Sequence, residues 1–306
     1  MGGCAWILGN LIYAACRRRE AVRILTRTLE FGLWVYVWFY CAWGINYFRF
    51  PFYERTNVKR AIYSAENFQG FLSDYVTGIN EAYALAGDTL EHWYLESPRS
   101  WEGIDSVGAM REVNEQYRRI APRFGLVVEQ KDLEVKPMLW SGGMSKVGVT
   151  GYMGPFFSEF NVNTEALGVE YPFTYAHELA HRLGIASEAE ANLYAYLVCT
   201  QTEDTKVRFS GNFSLFGYVM GNARHLLSEQ EYESLYKSIR AEVIELYKKH
   251  LNYWREKYSP TIGQLQNRLY NFYLKSNQVS SGTKNYSEVV GLLISLWESD
   301  HFPSCD

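Results

Sequence analysis

The part of the sequence best suited to chemistry is the segment 176–192, which reads AHELAHRLGIASEAEAN. It contains His177 and His181, and side chains four residues apart on a helix lie one above the other, with Cβ atoms about 5–6 Å apart. Each imidazole can therefore present a ring nitrogen to one metal ion at about 2.0–2.1 Å. This H-E-x-x-H pattern predicts a zinc ion held on a helix. The alternative is a pair of surface histidines beside a solvated glutamate.

The glutamate inside this pattern is Glu178, one position after the first histidine. On a helix it lies about 100° around the axis from His177, near the ligands but not opposed to them. That placement suits a general base that takes a proton from water at the metal. We therefore predict Glu178 as the catalytic residue, on a helix that ends at Gly184.

The third ligand must come from the glutamates that follow the glycine. Ser187 and Glu190 form an S-x-x-E capping box, which starts a second helix at Glu188 and gives Glu190 the structural task of reaching back to the Ser187 amide. Glu188 then projects toward the histidines across the turn at Gly184, so Glu188 is the predicted third ligand, with Glu190 as the alternative. In a third interpretation both acids only complement the helix dipole.

Other residues are candidates for supporting roles. Asn192 lies four residues after Glu188 on the same helix face, where it can hydrogen-bond a ligand imidazole or the carboxylate. A hydrolase also needs a donor near the developing oxyanion. The candidates are Arg208, Tyr218, His225, Tyr270 and Tyr273. Sequence does not rank them, and a lone helical histidine such as His225 is more often structural.

The elements that must position these residues are mainly helices. Apolar residues recur at helical spacing over 57–87 and 106–124, and again over most of the chain after 215. β-Branched and alternating residues predict short strands at 126–129, 146–152 and 158–163, the last two just before the histidine helix. The predicted fold class is therefore α+β, mostly helical, with a small sheet. One strand can bind an extended substrate at its edge; an ordinary sheet strand is the alternative.

The amino-terminal region has a different character. Residues 31–48 form an uncharged, aromatic-rich stretch of about the length that crosses a membrane. We predict a membrane-anchor region at 1–48, with a span at 31–48 and a partial span at 2–16, followed by a catalytic domain at 49–306. The arginine-rich linker between the two apolar stretches is then cytoplasmic and the catalytic domain extracytoplasmic. The alternative is a pair of buried aromatic helices in a soluble domain.

Composition excludes several classes of function. The net charge of −4 provides no basic surface for nucleic acid, so no nucleic-acid partner is predicted. Five cysteines without a C-x-x-C pair exclude a thiolate zinc site and a disulfide framework. If the domain lies outside the cytoplasm, Cys199 and Cys305 could still pair, but sequence separation gives no distance.

The motif also carries a resemblance. H-E-x-x-H followed by E-x-x-A-N at Glu188 is similar to the gluzincin clan of zinc peptidases, in which that glutamate is the third ligand. The blocks WGINYFR, GYMGPFFSEFNVN, FTYAHELAHRLGIASEAEANLYAYL and YLKSNQVSSGTKNYSEVVGLL resemble those of the bacterial family called domain of unknown function 3810. The resemblance implies two or three amino-terminal spans and an extracytoplasmic gluzincin-like domain. This chain departs from it in its short first apolar segment.

Together these patterns predict a zinc-dependent metallopeptidase with a zincin-like domain. It would be anchored in a bacterial cell membrane by lipid contact through the amino-terminal helix, and would act on a peptide or protein substrate. The first alternative is a non-catalytic membrane-bound binding or assembly protein with a structural or vestigial zinc site. The second is a metal hydrolase acting on another bond, such as a cell-wall amide, because the metal chemistry is the same.

Overall fold

The computed structural model describes residues 2–61, 65–87, 106–264 and 288–299. The chain separates into two compact units, one made of Met1–Ile45 with Pro155–Phe157 and the other of Asn46–Gly154 with Ser158–Asp306. The second unit contains the histidine segment and the main hydrophobic core.

The first unit is built on one helix, α1, at Gly2–Ala42. This helix runs unbroken through the arginine-rich segment, because arginine, glutamate and leucine all favour helix. Within it, the ring of Trp38 packs against the rings of Phe156 and Phe157, at centroid distances of 5.3 and 5.0 Å.

A membrane span is predicted at 31–48. In the described part of the chain, none of the helices combines the length and the apolar character needed to cross a membrane. Helix α1 ends at Ala42, and a 3-10 helix follows at Gly44–Phe48. The partial span at 2–16 belongs to the same continuous helix.

The second unit confirms the mostly helical prediction. Its helices are α2 at Phe52–Thr56, α3 at Ala65–Ala86, α4 at Ser106–Phe124, α5 at Ser141–Ser145, α6 at Tyr171–Arg182, α7 at Glu188–Thr200, α8 at Thr205–Leu226, α9 at Glu229–Ser238, α10 at Ala241–Lys257 and α11 at Val289–Trp297. Polar caps begin three of them: the side chains of Ser187, Asp204 and Ser228 accept backbone N–H groups of α7, α8 and α9.

Helix α7 lies at the centre of this unit. It packs against α6 on one side, α8 on another and α11 on a third, while α3 packs on α8. Every residue from Glu188 to Cys199 except Glu190 is buried. A helix surrounded in this way has no solvent face, which explains why its sequence is apolar beyond the first turn.

The small sheet has three strands, β1 at Lys136–Pro137, β2 at Gly151–Gly154 and β3 at Glu159–Val162, in the order β1-β3-β2. Strands β2 and β3 are antiparallel, whereas β1 pairs in parallel with β3. Strand β2 is therefore an edge strand, and both β2 and β3 pack on α6. This arrangement confirms the small sheet before the histidine helix.

The strand predicted at 158–163 matches β3. The prediction at 126–129 is wrong, because those residues form no strand, and the prediction at 146–152 is mostly wrong. Only its last two residues belong to β2. The amide of Asn163 donates to Ser145 Oγ at 3.0 Å and to the carbonyl of Val149 at 2.8 Å, and Gly148 has a φ of +75°. These contacts hold the preceding stretch as a turn, which overrides its β-branched composition.

Candidate metal centre

Helices α6 and α7 form a hairpin with a tight connection. Gly184 has a φ of +85°, which favours glycine, and the N–H groups of Gly184 and Ile185 return to carbonyls in the last turn of α6. This is the hydrogen-bond pattern that closes a helix with a left-handed residue. Ser187 then caps α7, which begins at Glu188 as predicted. The hairpin therefore turns the start of α7 back toward the end of α6.

The hairpin brings the three predicted ligands together. The Nε2 atom of His177 lies 3.0 Å from Nε2 of His181 and 3.1 Å from Oε2 of Glu188. The third side of the triangle, from His181 Nε2 to Glu188 Oε2, measures 3.6 Å. In the described part of the chain, this is the one group of three or more His, Cys, Asp or Glu side chains that could hold a metal ion.

The size of the triangle fits a zinc ion. Two donors bound tetrahedrally at about 2.0–2.1 Å from zinc are separated by about 3.3 Å, close to the sides of 3.0, 3.1 and 3.6 Å found here. Lone pairs and a carboxylate repel one another at such distances unless a cation lies among them. The chemistry of this donor set therefore suits a proton or a metal ion at the centre.

The remaining ring nitrogens of both histidines are also held. Nδ1 of His177 lies 2.8 Å from Oδ1 of Asn192, and Nδ1 of His181 lies 2.7 Å from the carbonyl oxygen of Ile185. Such contacts fix the rotation of an imidazole and leave Nε2 facing the metal position. The structure thus places Asn192 where the sequence predicted it. It also adds the Ile185 carbonyl, which carries no signal in a sequence.

Glu178 is fully enclosed next to this triangle. Its Oε2 atom is buried and makes no hydrogen bond. Gly151, the first residue of β2, lies so close that a Cβ atom there would stand 2.6 Å from Glu178 Oε1 and 2.9 Å from Thr174 Cγ2. The side chain of Glu178 therefore packs between its own helix, α6, and the edge strand β2.

The electrostatics of the cluster follow from burial and mutual charge. Burial raises the pKa of Glu178 to about 7, although the two histidines oppose the shift. Burial lowers the pKa of His181, but the charge and hydrogen bond of Glu188 outweigh it, and the pKa rises to about 9. Burial also acts to raise the pKa of Glu188, yet the two histidines hold it well below its usual value. Without metal, these pKa values place a proton on His181, next to the Glu188 carboxylate, at neutral pH.

The candidate oxyanion donors differ in their environment and in their relation to the ligand cluster. Burial raises the pKa of Tyr218 on α8 to about 12, and the charge of Glu188 adds to this effect, so the phenol stays protonated within electrostatic range of the cluster. His225 is exposed in the last turn of α8. Arg208 donates from Nε to the carbonyl of Thr202 at 3.0 Å, a local contact at the start of the helix. Tyr270 and Tyr273 lie outside the described residues.

Glu190, the alternative ligand, does not join the cluster. Its Oε1 atom accepts the backbone N–H of Phe52 at 3.1 Å, and its Oε2 atom forms an ion pair with Arg55. The capping role predicted for Glu190 is therefore incomplete, because its carboxylate binds Phe52 and Arg55, which are far away in the sequence. Cys199 is buried and free, and Cys305 lies outside the described residues.

The described structure defines a mostly helical α+β protein with a three-residue cluster of potential metal ligands on a helical hairpin. The chain belongs to the family DUF3810, described as a protein of unknown function, whose model matches residues 1–294. This confirms the family resemblance; the family description assigns no activity. No curated protein matches the chain, and no solved structure matches it.

Proposed function

We propose that this protein is a zinc-dependent metallopeptidase in which His177, His181 and Glu188 hold the metal and Glu178 is the general base. The observation that carries the proposal is the ligand triangle together with the unpartnered, buried Oε2 atom of Glu178 beside it. A buried carboxylate oxygen without a partner costs stability, so its presence needs a reason, and proton transfer supplies one.

The number of ligands supports catalysis over a purely structural role. Structural zinc sites are closed by four protein ligands, whereas catalytic sites use three and keep one position open. The cluster has three such side chains in the described part of the chain. A zincin-like arrangement of this kind also leaves Glu178 with a task that a structural site does not need.

Two side chains near the metal position have defined parts in the proposed reaction. When bound, zinc supplies Lewis acidity that polarises a carbonyl oxygen and makes water nucleophilic near neutral pH. Glu178 takes the proton from the attacking water and passes it to the leaving amine. In the chain without metal, burial raises the pKa of Glu178 to about 7, so the carboxyl group can hold a proton in this environment. Tyr218 donates a hydrogen bond to the developing oxyanion.

The edge strand supports a peptide as the substrate. In the described part of the chain, β2 pairs only with β3, so its other edge can accept an extended peptide as an additional strand. Gly151 lies against Glu178. A peptide paired with β2 therefore runs past the base, which fits hydrolysis of a backbone amide.

The predicted location at a bacterial cell membrane, with the domain outside the cytoplasm, stays a prediction based on the resemblance and on the arginine-rich segment. Cell fractionation followed by protease treatment of intact cells tests it directly. Digestion of the domain without lysis supports an extracytoplasmic location, and full protection contradicts it.

The proposed activity is tested on the full chain by zinc content and peptide hydrolysis together. We expect about one zinc per chain, lost on Glu188→Ala. Glu178→Gln should keep the zinc and lose about 10²–10⁴-fold in cleavage of a peptide library. Absence of zinc in the parent would contradict the metal site. Zinc without any cleavage that depends on Glu178 would favour the non-catalytic binding protein, and cleavage of cell-wall amides alone would favour that class of hydrolase.

A further inference from the structure

The turn between α6 and α7 is covered by a stretch of chain from far upstream, residues 46–56, which we call the clamp segment. Nη1 of Arg49 donates to the carbonyl of Leu183 at 3.1 Å, and its Nη2 donates to the carbonyl of Gly125 at 3.0 Å. A Cβ atom on Gly184 would lie 2.8 Å from Oδ1 of Asn46. The clamp segment therefore lies directly on the turn and fixes its backbone.

A second arginine of the clamp segment acts just beyond the turn. Arg55 forms an ion pair with Glu190, and the two side chains are only 10% and 12% exposed. Nη1 of Arg55 also donates to the carbonyl of Phe124 at 3.3 Å, and the N–H of Phe52 donates to Glu190. Both arginines thus connect the α6–α7 hairpin to the end of α4.

These contacts fall on both sides of the third predicted ligand. Glu188 lies between the turn, which Arg49 holds, and Glu190, which Arg55 holds. The same turn contains the Ile185 carbonyl, which orients the ring of His181. A shift of this turn would move Glu188 and the Ile185 carbonyl together, and it would change the sides of the ligand triangle that meet at Glu188 and at His181.

We propose that Arg49, Arg55 and Glu190 are positioning residues for the metal, holding the α6–α7 turn so that Glu188 completes the triangle. The inference rests on the proposed zinc site. Metal sites require their ligands to be held within about 0.5 Å of the productive geometry by surrounding contacts. A turn built around one glycine cannot supply that rigidity alone. The clamp segment supplies it through contacts that are largely buried.

Charge alone predicts a different outcome from positioning. Removing the positive charge of Arg55 would strengthen zinc binding by electrostatics, and removing the negative charge of Glu190 would weaken it. Positioning predicts that both changes weaken zinc binding, because each breaks the same contact. A role in stability alone predicts a lower Tm with no change in zinc affinity.

The test is zinc affinity of the full chain, measured by competition with a chelating indicator, alongside Tm. We expect Arg55→Met and Glu190→Gln each to weaken zinc binding about 10–100-fold. The double variant should be no weaker than the worse single variant, because partners in one contact are not additive. Arg55→Lys, which keeps the charge pair, should restore part of the affinity. The matched control is Tyr53→Phe, which removes a hydrogen bond of the same segment to Ser295 and should leave zinc affinity unchanged.

Each other outcome is decisive. If Arg55→Met strengthens zinc binding and Glu190→Gln weakens it, the effect is one of charge and the positioning role is wrong. If both variants keep the zinc affinity of the parent but have a lower Tm, these residues only stabilise the fold. If Arg55→Met does not fold, Arg49→Met reports on the same turn, and unchanged affinity there overturns the inference. A parent chain without zinc overturns the proposed function as well, whereas a zinc-binding parent with indifferent variants overturns only the clamp.

Discussion

Nδ1 of His177 lies 2.8 Å from Oδ1 of Asn192, which stands one helical turn beyond Glu188 on the facing helix. An amide oxygen only accepts, so this contact places the imidazole proton on Nδ1 and leaves the lone pair of Nε2 toward the triangle. The tautomer needed for a metal ligand is therefore selected by the hairpin itself, before any metal binds.

The first prediction concerns this amide. Asn192→Ala should weaken zinc binding about 10–100-fold, because the imidazole of His177 loses the contact that sets its rotation and tautomer. Asn192→Asp is the matched control, since it keeps an acceptor at the same place and should retain most of the affinity. Competition with a chelating indicator measures both variants. Equal affinities for Asn192→Ala and the parent would show that Asn192 does not orient the ligand.

The second prediction concerns the close approach of β2 to the base. Gly151→Ala introduces a Cβ atom 2.6 Å from Oε1 and 2.8 Å from Cγ of Glu178. The base must shift, and a displacement of about 1 Å can cost about 10²-fold in rate, so peptide hydrolysis should fall while zinc content stays at the parent value. Gly154→Ala is the control in the same strand, because its nearest neighbour would be 3.4 Å away. Similar activity in the two variants would contradict the assignment of Glu178.

The third prediction separates the candidate oxyanion donors. Tyr218→Phe should lower kcat about 10²–10³-fold with little change in KM, since the hydrogen bond forms with the transition state. His225→Ala should leave both constants unchanged, because His225 is exposed at the end of α8. Steady-state kinetics on one peptide substrate decide the matter. A loss in the His225 variant alone would reverse the assignment.

The fourth prediction concerns protons and metal. In the metal-free chain the pKa of His181 is raised from 6.5 to about 9, the Glu188 carboxylate outweighing burial, so a proton occupies the site at neutral pH. Zinc must displace this proton, and the apparent affinity should rise about tenfold per pH unit from pH 7 until it levels off near pH 9. Calorimetry in buffers of different ionisation enthalpy measures the proton released. A binding heat independent of the buffer would argue against this exchange.

The ligand hairpin could be foreseen because its signals are local. Spacing of four residues places His177 and His181 on one face, and the serine cap with the glycine turn directs Glu188 back toward them. Asn192 follows from the same helix periodicity. These arguments need no knowledge of the rest of the chain. The meeting of these four residues could therefore be predicted from the sequence alone.

The features that the sequence did not predict depend on distant partners or on where an element ends. The sequence predicts a purely local capping role for Glu190, but its carboxylate accepts a hydrogen bond from the buried guanidinium of Arg55, which lies 135 residues away in the sequence. The uncharged stretch at 31–48 contains the end of α1 at Ala42, and amino-acid composition does not show where a helix ends. The stretch 146–150 has strand composition, but Asn163 holds it as a turn.

The hairpin also determines the order in which the site is assembled. Glu188 follows His177 by only eleven residues, and a loop of that size closes in about 10–100 ns. Arg49 must instead find Leu183 across a separation of 134 residues, a contact that forms late because its closure entropy is larger. We therefore expect the three ligands to meet early in folding and to be locked later, when the upstream segment docks.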